Sequence, residues 1–361
     1  MRIHKWITAV VVTMVFLNLP GYSEDLSEYY GFDEMEIVKL DWGIKGLQIS
    51  DFNGDKRNDI AIVNNLKARI EILLQKEEIG PDETEFADPE DEDINLINVP
   101  SRFKRESVAV SQKISSFVCS DLNSDGMVDL AFYGTPEGLY IILQKEDESK
   151  KQDRLSWRSR KKIKIDDGLL NNNALACADL NNDGKDDLAL AGRDAVYIIL
   201  QKKDGTLAEP VKYPTSVRTL AVMVGDLNGD KVNDLVLITN DSEKRVHVRF
   251  GLVTGQLGPQ ERFFIEQPWA LKFADIDGNR GDEILTVDAI SNRLGCYKFA
   301  SGDNDSDDWP MLYYRLASAE GSEMRDLVIG DIDGDGLDDV VISEPVLPNL
   351  YCINNMQTLV W

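Results

Sequence analysis

One ten-residue phrase occurs six times in this chain, and it limits what the chain can fold into. Its clearest copy is Asp331-Ile332-Asp333-Gly334-Asp335-Gly336-Leu337-Asp338-Asp339-Val340. Oxygen-bearing side chains stand at positions 1, 3, 5 and 9, and an apolar run begins at position 10. A hard cation asks this of a tight loop. Alternate side chains turn inward, small residues at positions 4 and 6 permit the bend, and a backbone carbonyl near position 7 completes the shell. The EF-hand meets the same demand with ligands at positions 1, 3, 5, 7, 9 and 12. Here position 12 carries no glutamate and strand-like residues follow at once. The expectation is a calcium loop set between strands.

The other copies place Asp51, Asn53, Asp55 and Asp59 in loop one, and Asp121, Asn123, Asp125 and Asp129 in loop two. Loop three has Asp179, Asn181, Asp183 and Asp187; loop four has Asp226, Asn228, Asp230 and Asp234. Loop five has Asp275, Asp277, Asn279 and Glu283, and loop six Asp331, Asp333, Asp335 and Asp339. The competing reading is a set of plain polar hairpin turns, for which Asn-Gly and Asp-Gly are favoured. A turn alone does not call for acids at the same positions in copy after copy. Up to six calcium ions are expected.

The spacing of about 47 to 70 residues between first aspartates is the range in which a repeat means a propeller or solenoid. Each unit reads as four short strands with the loop between the second and third. Leu47 and Ile49 precede loop one by four and two residues, and Phe117 and Cys119, Leu175 and Cys177, Val222 and Val224, Leu271 and Phe273, and Leu327 and Ile329 repeat them. The residue just before each loop is small: Ser50, Ser120, Ala178, Gly225, Ala274, Gly330. Ile72-Leu73-Leu74-Gln75-Lys76 is nearly duplicated at 140–145 and 197–202. Met35–Leu40 alternates as a strand. The expected fold is all-β, a β-propeller of six four-stranded blades, with Thr358-Leu359-Val360-Trp361 either closing the ring or opening a seventh. The charged runs Glu77–Glu92 and Glu146–Arg160 read as solvated insertions.

The net charge of −25 over 361 residues makes nucleic acid an unlikely partner, since phosphate binding needs clustered Lys and Arg. Much of the excess lies in the loops: three carboxylates at the ligand positions of each of loops one to five, and four in loop six. At the N-terminus, Arg2, His4 and Lys5 precede an apolar run from Ile7 to Leu19, and Gly21-Tyr22-Ser23 supplies small residues for cleavage. Residues 1–23 therefore read as a secretory signal, too short for a comfortable membrane span, with the propeller over 24–361. Export to the periplasm, cell surface or medium is expected, with no membrane span after signal removal. Cys119, Cys177, Cys296 and Cys352 read as buried free thiols, although an exported chain has the option of disulfides.

The loops Asp-Leu-Asn-Gly-Asp at 226–230 and Asp-Ile-Asp-Gly-Asp-Gly at 331–336, with their strand–loop–strand frame and Phe250-Gly251, resemble the FG-GAP/VCBS repeat family. The resemblance covers about residues 31–361. It implies a propeller like the head of integrin α-subunits, with calcium in hairpin loops on one face. It also implies binding of extracellular proteins or polysaccharides, as in cell adhesion, and some such propellers are attached to enzymes. The Gly-Ala-Pro element is not evident here and the spacing is irregular.

No Gly-x-Ser-x-Gly, His-Glu-x-x-His or phosphate-loop motif occurs. The mature chain has one histidine, His247, in an alternating strand where a structural role is the simpler reading. Trp42, Trp269 and Trp309 are expected between blades or, if exposed, against a ligand. Arg280-Gly281-Asp282 spells an integrin-read tripeptide, but it falls inside loop five, where Gly281 serves the turn. The favoured function is a non-catalytic interaction module. The alternatives are a polysaccharide lyase or hydrolase working in the channel, with His247 as first suspect, and a purely structural surface module.

Overall fold

The expected loop position between second and third strands is corrected, since each loop joins the first and second strands of its sheet. The first strand ends at the small residue before the loop, and that residue pairs with position 9. The pairs are Ser50 with Asp59, Ser120 with Asp129, Ala178 with Asp187, Gly225 with Asp234, Ala274 with Glu283 and Gly330 with Asp339. One register, repeated six times, follows from one loop length, because turn length sets the register of a hairpin. The computed structural model describes residues 40, 42–77, 102–146, 155–265, 268–276, 278, 281–288, 293–299, 311–315, 327–330, 338–344 and 349–353. The chain divides into two units, Met1–Ile37 and Val38–Trp361, and every described residue belongs to the second. The signal segment, the strand expected at Met35–Leu40 except for Leu40, most of the first acidic insertion, Trp309 and the C-terminal strand thus lie outside the described residues.

The fold is an all-β propeller with no helix among the described residues. Blade one comprises Ile44–Ser50, Asp59–Asn64, Arg69–Gln75 and Phe103–Ala109. Blade two comprises Lys113–Ser120, Asp129–Thr135, Gly138–Ile142 and Lys161–Ile163, with a two-stranded ribbon of Gln144–Lys145 and Ser156–Trp157 inside the second charged insertion. Blade three comprises Leu175–Ala178, Asp187–Ala191, Ala195–Ile199 and Val211–Pro214. Blade four comprises Thr219–Gly225, Asp234–Thr239, Val246–Gly251 and Leu257–Phe263, and blade five Pro268–Ala274, Glu283–Asp288, Arg293–Tyr297 and Met311–Arg315. The sixth copy builds a three-stranded sheet of Leu327–Gly330, Asp339–Glu344 and Asn349–Ile353. The expected six or seven four-stranded blades are therefore corrected to five among the described residues. A fourth strand for the sixth sheet would fall on 354–361, outside the described residues.

Each blade is an antiparallel meander, and the first strands of blades one to four neighbour one another in turn, as do that of blade five and that of the sixth sheet. The first strands of blades one, two, four and five each carry a bulge near their start, which sharpens strand twist. The second strands are mainly apolar after their first residue, as in Leu188-Ala189-Leu190-Ala191, because neighbouring blades cover both of their faces. The residues four before the loops join the core of the preceding blade: Phe117 shares a buried cluster with Phe52, Ala61 and Val63, and Leu175 with Val118, Ala131 and Tyr133. In blade one the same positions behave differently. Leu47 and Ile49 are 57% and 59% exposed, since the packing that buries their equivalents comes from the blade before.

Cys119 and Cys177 are free thiols, and Cys296 is fully buried. Burial pushes the Cys177 thiol up to about 12. Trp42 does not pack between blades; it is 91% exposed.

Candidate metal loops

Position 9 is the anchor of each loop. Asp59, Asp129, Asp187, Asp234, Glu283 and Asp339 are all fully buried. In loops one to four one carboxylate oxygen accepts the position-2 N–H, from Phe52 at 2.9 Å, Leu122 at 3.0 Å, Leu180 at 3.1 Å and Leu227 at 2.9 Å. The other oxygen accepts an N–H from the end of the third strand: Gln75, Gln144 and Gln201 at 2.7 Å, and Gly251 at 2.8 Å. Loop five repeats the first contact through its longer side chain, Ile276 N–H to Glu283 Oε2 at 3.0 Å, and Lys298 Nζ lies 3.2 Å from Oε1. Burial pushes the Asp129, Asp187 and Asp234 carboxyls up to about 7 against their two N–H bonds, and the acids at positions 5 and 1 of the same loop add repulsion.

Position 1 organises the bend. Asp51, Asp121, Asp179 and Asp226 each accept the N–H of position 5 on one oxygen and the N–H of position 6 on the other, the latter at 2.7–2.8 Å. Position 5 accepts the N–H of position 7 in all four loops. The position-3 side-chain oxygens of Asn53, Asn123 and Asn228 accept the position-5 N–H. Positions 4 and 6 are both left-handed, at φ 75 and 69 in loop one, 58 and 83 in loop two, 56 and 79 in loop three, and 73 and 68 in loop four. The expectation of small residues there is corrected at position 6, where Lys56 and Lys231 hold φ values that favour glycine.

Positions 1, 3, 5 and 9 of loops one to four, Asp275 and Glu283 of loop five and Asp339 of loop six lie among the described residues. Asp277, Asn279, Asp331, Asp333 and Asp335 lie outside the described residues. Among those described, no group of three or more His, Cys, Asp and Glu side chains is drawn together closely enough to hold a metal ion. The donor set is nonetheless all oxygen, and a carboxylate oxygen that accepts one N–H keeps a second lone pair. Asn181 Oδ1, at position 3 of loop three, is buried with no hydrogen-bond donor, as is Asp275 Oδ1 at position 1 of loop five. Orphaned buried acceptors are costly and uncommon.

Two features escaped the sequence reading. Position 2 is a buried apolar plug: Phe52, Leu122, Leu180, Leu227 and Ile276 are at most 2% exposed. Burying one such side chain is worth about 1.5–3 kcal/mol. The signal was present, since position 2 is apolar in all six copies. Position 8 reaches the preceding blade. Asn233 Nδ2 donates to the Asp179 carbonyl at 2.8 Å, and Ser120 Oγ donates to Asp186. No pattern in position 8 announced this, because its residue type varies.

His247 is fully buried, with Nε2 donating to the Lys244 carbonyl at 3.0 Å and Nδ1 accepting from Gln260 Nε2 at 2.5 Å. Both ring nitrogens are spent on structure. Asp282 of the Arg-Gly-Asp triplet accepts the Asp226 N–H at 3.0 Å.

The FG-GAP-like repeat family matches residues 179–237, from the first aspartate of loop three into the second strand of blade four. No curated protein matches the chain. Among solved structures, the Agrocybe aegerita lectin described as recognising non-reducing terminal N-acetylglucosamine aligns at 15% identity over 82% of this chain and 74% of its own, with a TM-score of 0.53. The Photorhabdus luminescens Tc holotoxin pore aligns at 19% identity and a TM-score of 0.47. That alignment covers 86% of this chain and only 14% of the toxin chain.

Proposed function

We propose that this FG-GAP-like repeat propeller is an exported, calcium-binding module that recognises a protein or a glycan and catalyses no reaction. One observation carries the calcium reading: four loops in four blades share one backbone path, with oxygen donors at positions 1, 3, 5 and 9 and left-handed residues at 4 and 6. In loop three Asp179, Asn181, Asp183 and Asp187 would hold the ion, and Asn181 Oδ1 would gain the partner it lacks. Bound calcium supplies positive charge that offsets repulsion among clustered carboxylates and ties the second strand to the first. Calcium folded into such a site stabilises the folded chain by mass action.

The recognition reading draws on the fold, shared with a lectin, and on exposed apolar surface. Trp42 at 91% exposure offers an aromatic face of the kind that anchors binding hot spots. The engagement of both His247 nitrogens removes the first suspect for channel chemistry.

The test uses purified full chain freed of divalent ions. Calorimetric titration with calcium should give binding, and a polysaccharide and glycan panel should give calcium-dependent retention without product. Silence in calorimetry overturns the calcium reading. Product release overturns the non-catalytic one. Export is checked by mass spectrometry of the mature N-terminus, expected at Glu24.

A further inference from the structure

Loops one to five are tied in sequence by hydrogen bonds, each linking a residue bonded to or adjacent to position 9 of one loop with the backbone at or next to position 1 of the loop before. Between loops two and three, bonds from Ser120 to Asp186 and from Lys185 to Ser124 add further ties. Between blades one and two, Gln144 donates its backbone N–H to Asp129, position 9 of loop two, and its side-chain amide to the carbonyl of Phe52, next to position 1 of loop one, at 3.0 Å. Between blades two and three, Gln201 donates its backbone N–H to Asp187, position 9 of loop three, and its Nε2 to the carbonyl of Asp121, position 1 of loop two, at 3.0 Å. Ser124 Oγ of loop two closes on Gln201 Oε1, and the side chain is only 2% exposed. Between blades three and four, Asn233, adjacent to Asp234, donates to the carbonyl of Asp179. Between blades four and five, Asp282, adjacent to Glu283, exchanges two bonds with the backbone of Asp226. In the first two junctions position 1 of one loop, or its neighbour, is tied through a glutamine to position 9 of the next, and in the other two it is tied to position 8, beside position 9.

We propose that these side chains are relays that make calcium binding in neighbouring loops cooperative, with Gln201 the positioning residue between loops two and three. The proposal rests on the calcium reading of the loops. An ion that draws in the Asp121 carboxylate also fixes its carbonyl, which holds Gln201 and so presets Asp187 for the next ion. Ordering one loop lowers the ordering cost of the next, which is positive coupling. The relay runs around the propeller in one direction of the chain, and it needs no ligand other than calcium.

The experiment follows backbone amide signals of the full chain during calcium titration. Gly184 reports loop three, since its N–H donates to Asp179 Oδ2 at 2.7 Å. Asp125→Asn blunts loop two and should raise the calcium midpoint read at Gly184 by about 5-fold. In a Gln201→Met background, which keeps side-chain length and removes the side-chain bonds, Asp125→Asn should shift that midpoint less, as a double-mutant cycle measures, since the Ser120–Asp186 and Lys185–Ser124 bonds remain. A second cycle covers the case in which Gln201→Met fails to fold. Asn233→Ala should abolish the effect of Asp183→Asn on loop four, read at the Gly229 N–H, which donates to Asp226 at 2.8 Å. Equal shifts with and without the relay residue overturn the relay and leave calcium binding intact. A Gly184 signal that ignores calcium overturns the calcium reading and the relay with it.

Discussion

Asp226 and Asp282 bind each other twice across two blades: the Asp226 N–H donates to the Asp282 carboxylate at 3.0 Å, and the Asp282 N–H donates to the Asp226 carbonyl at 2.6 Å. Burial raises the Asp282 carboxyl, and Asp226, Asp275 and Asp338 repel its charge, so the acceptor is needed and the charge is not. Asp282→Asn, which keeps an acceptor oxygen, should hold or raise the thermal midpoint in chelator. Asp282→Ala orphans the Asp226 N–H and should cost about 1–3 kcal/mol. Paired denaturant titrations decide, and equal loss in both variants would sink the argument. The same bonds occupy the Asp of the Arg-Gly-Asp triplet, so an integrin-type reader should not capture the folded chain.

Positions 9 and 5 of a loop should fail differently. Asp187→Ala orphans two buried N–H groups, each worth about 1–3 kcal/mol, and should destabilise in calcium and in chelator alike. Asp183 is exposed and accepts one local N–H. Asp183→Ala should cost less than about 1 kcal/mol in chelator and more in calcium. Melting curves of both variants under both conditions test the pair.

Lys56 and Lys231 hold φ values of 69 and 68, where Gly126 and Gly184 sit in the sister loops. A left-handed residue with a Cβ costs about 1–2 kcal/mol, and glycine returns part of that as chain entropy. Lys56→Gly and Lys231→Gly should each stabilise by about 0.5–1 kcal/mol, measured by urea unfolding. Gly205 is the counter-case. Its φ is 74, and a Cβ there would meet the Asn123 carbonyl oxygen at 2.4 Å, so Gly205→Ala should destabilise and loosen loop two.

His247 is held neutral chiefly by burial, and Arg262 opposes its proton further, while the Lys244 carbonyl and Asp241, 3.8 Å away, favour it. The folded pKa lies below the ordinary value near 6.5, so the unfolded chain takes the proton first. The stability this group contributes is whole above about pH 6.5 and is lost as pH falls through the folded pKa. His247→Gln lacks the titration, and the stability difference between wild type and variant should narrow from pH 7.5 to pH 5. A difference independent of pH would refute it.

Much of this was legible along the chain. Six loops of one length dictate six hairpins of one register, and strands that are apolar on both faces dictate blades stacked on both sides. Which residues would become donors to the next loop was not legible. Gln144 and Gln201 stand at one place in a duplicated phrase, and Asn233 and Asp282 both at position 8, but nothing along the chain says that these places meet the loop of the blade before.

The sequence alone determined the hairpin, its left-handed turn positions and its oxygen donors, because these depend on residues within ten positions of one another. Tertiary structure decided what lies between blades. It buried Phe117 and left its equivalent Leu47 exposed, and it turned position 9 into a staple for two backbone N–H groups. Among the described residues it also set the number of four-stranded blades at five. Burial and partnership depend on which sheet stands beside a residue, and a repeat unit does not encode its own neighbour.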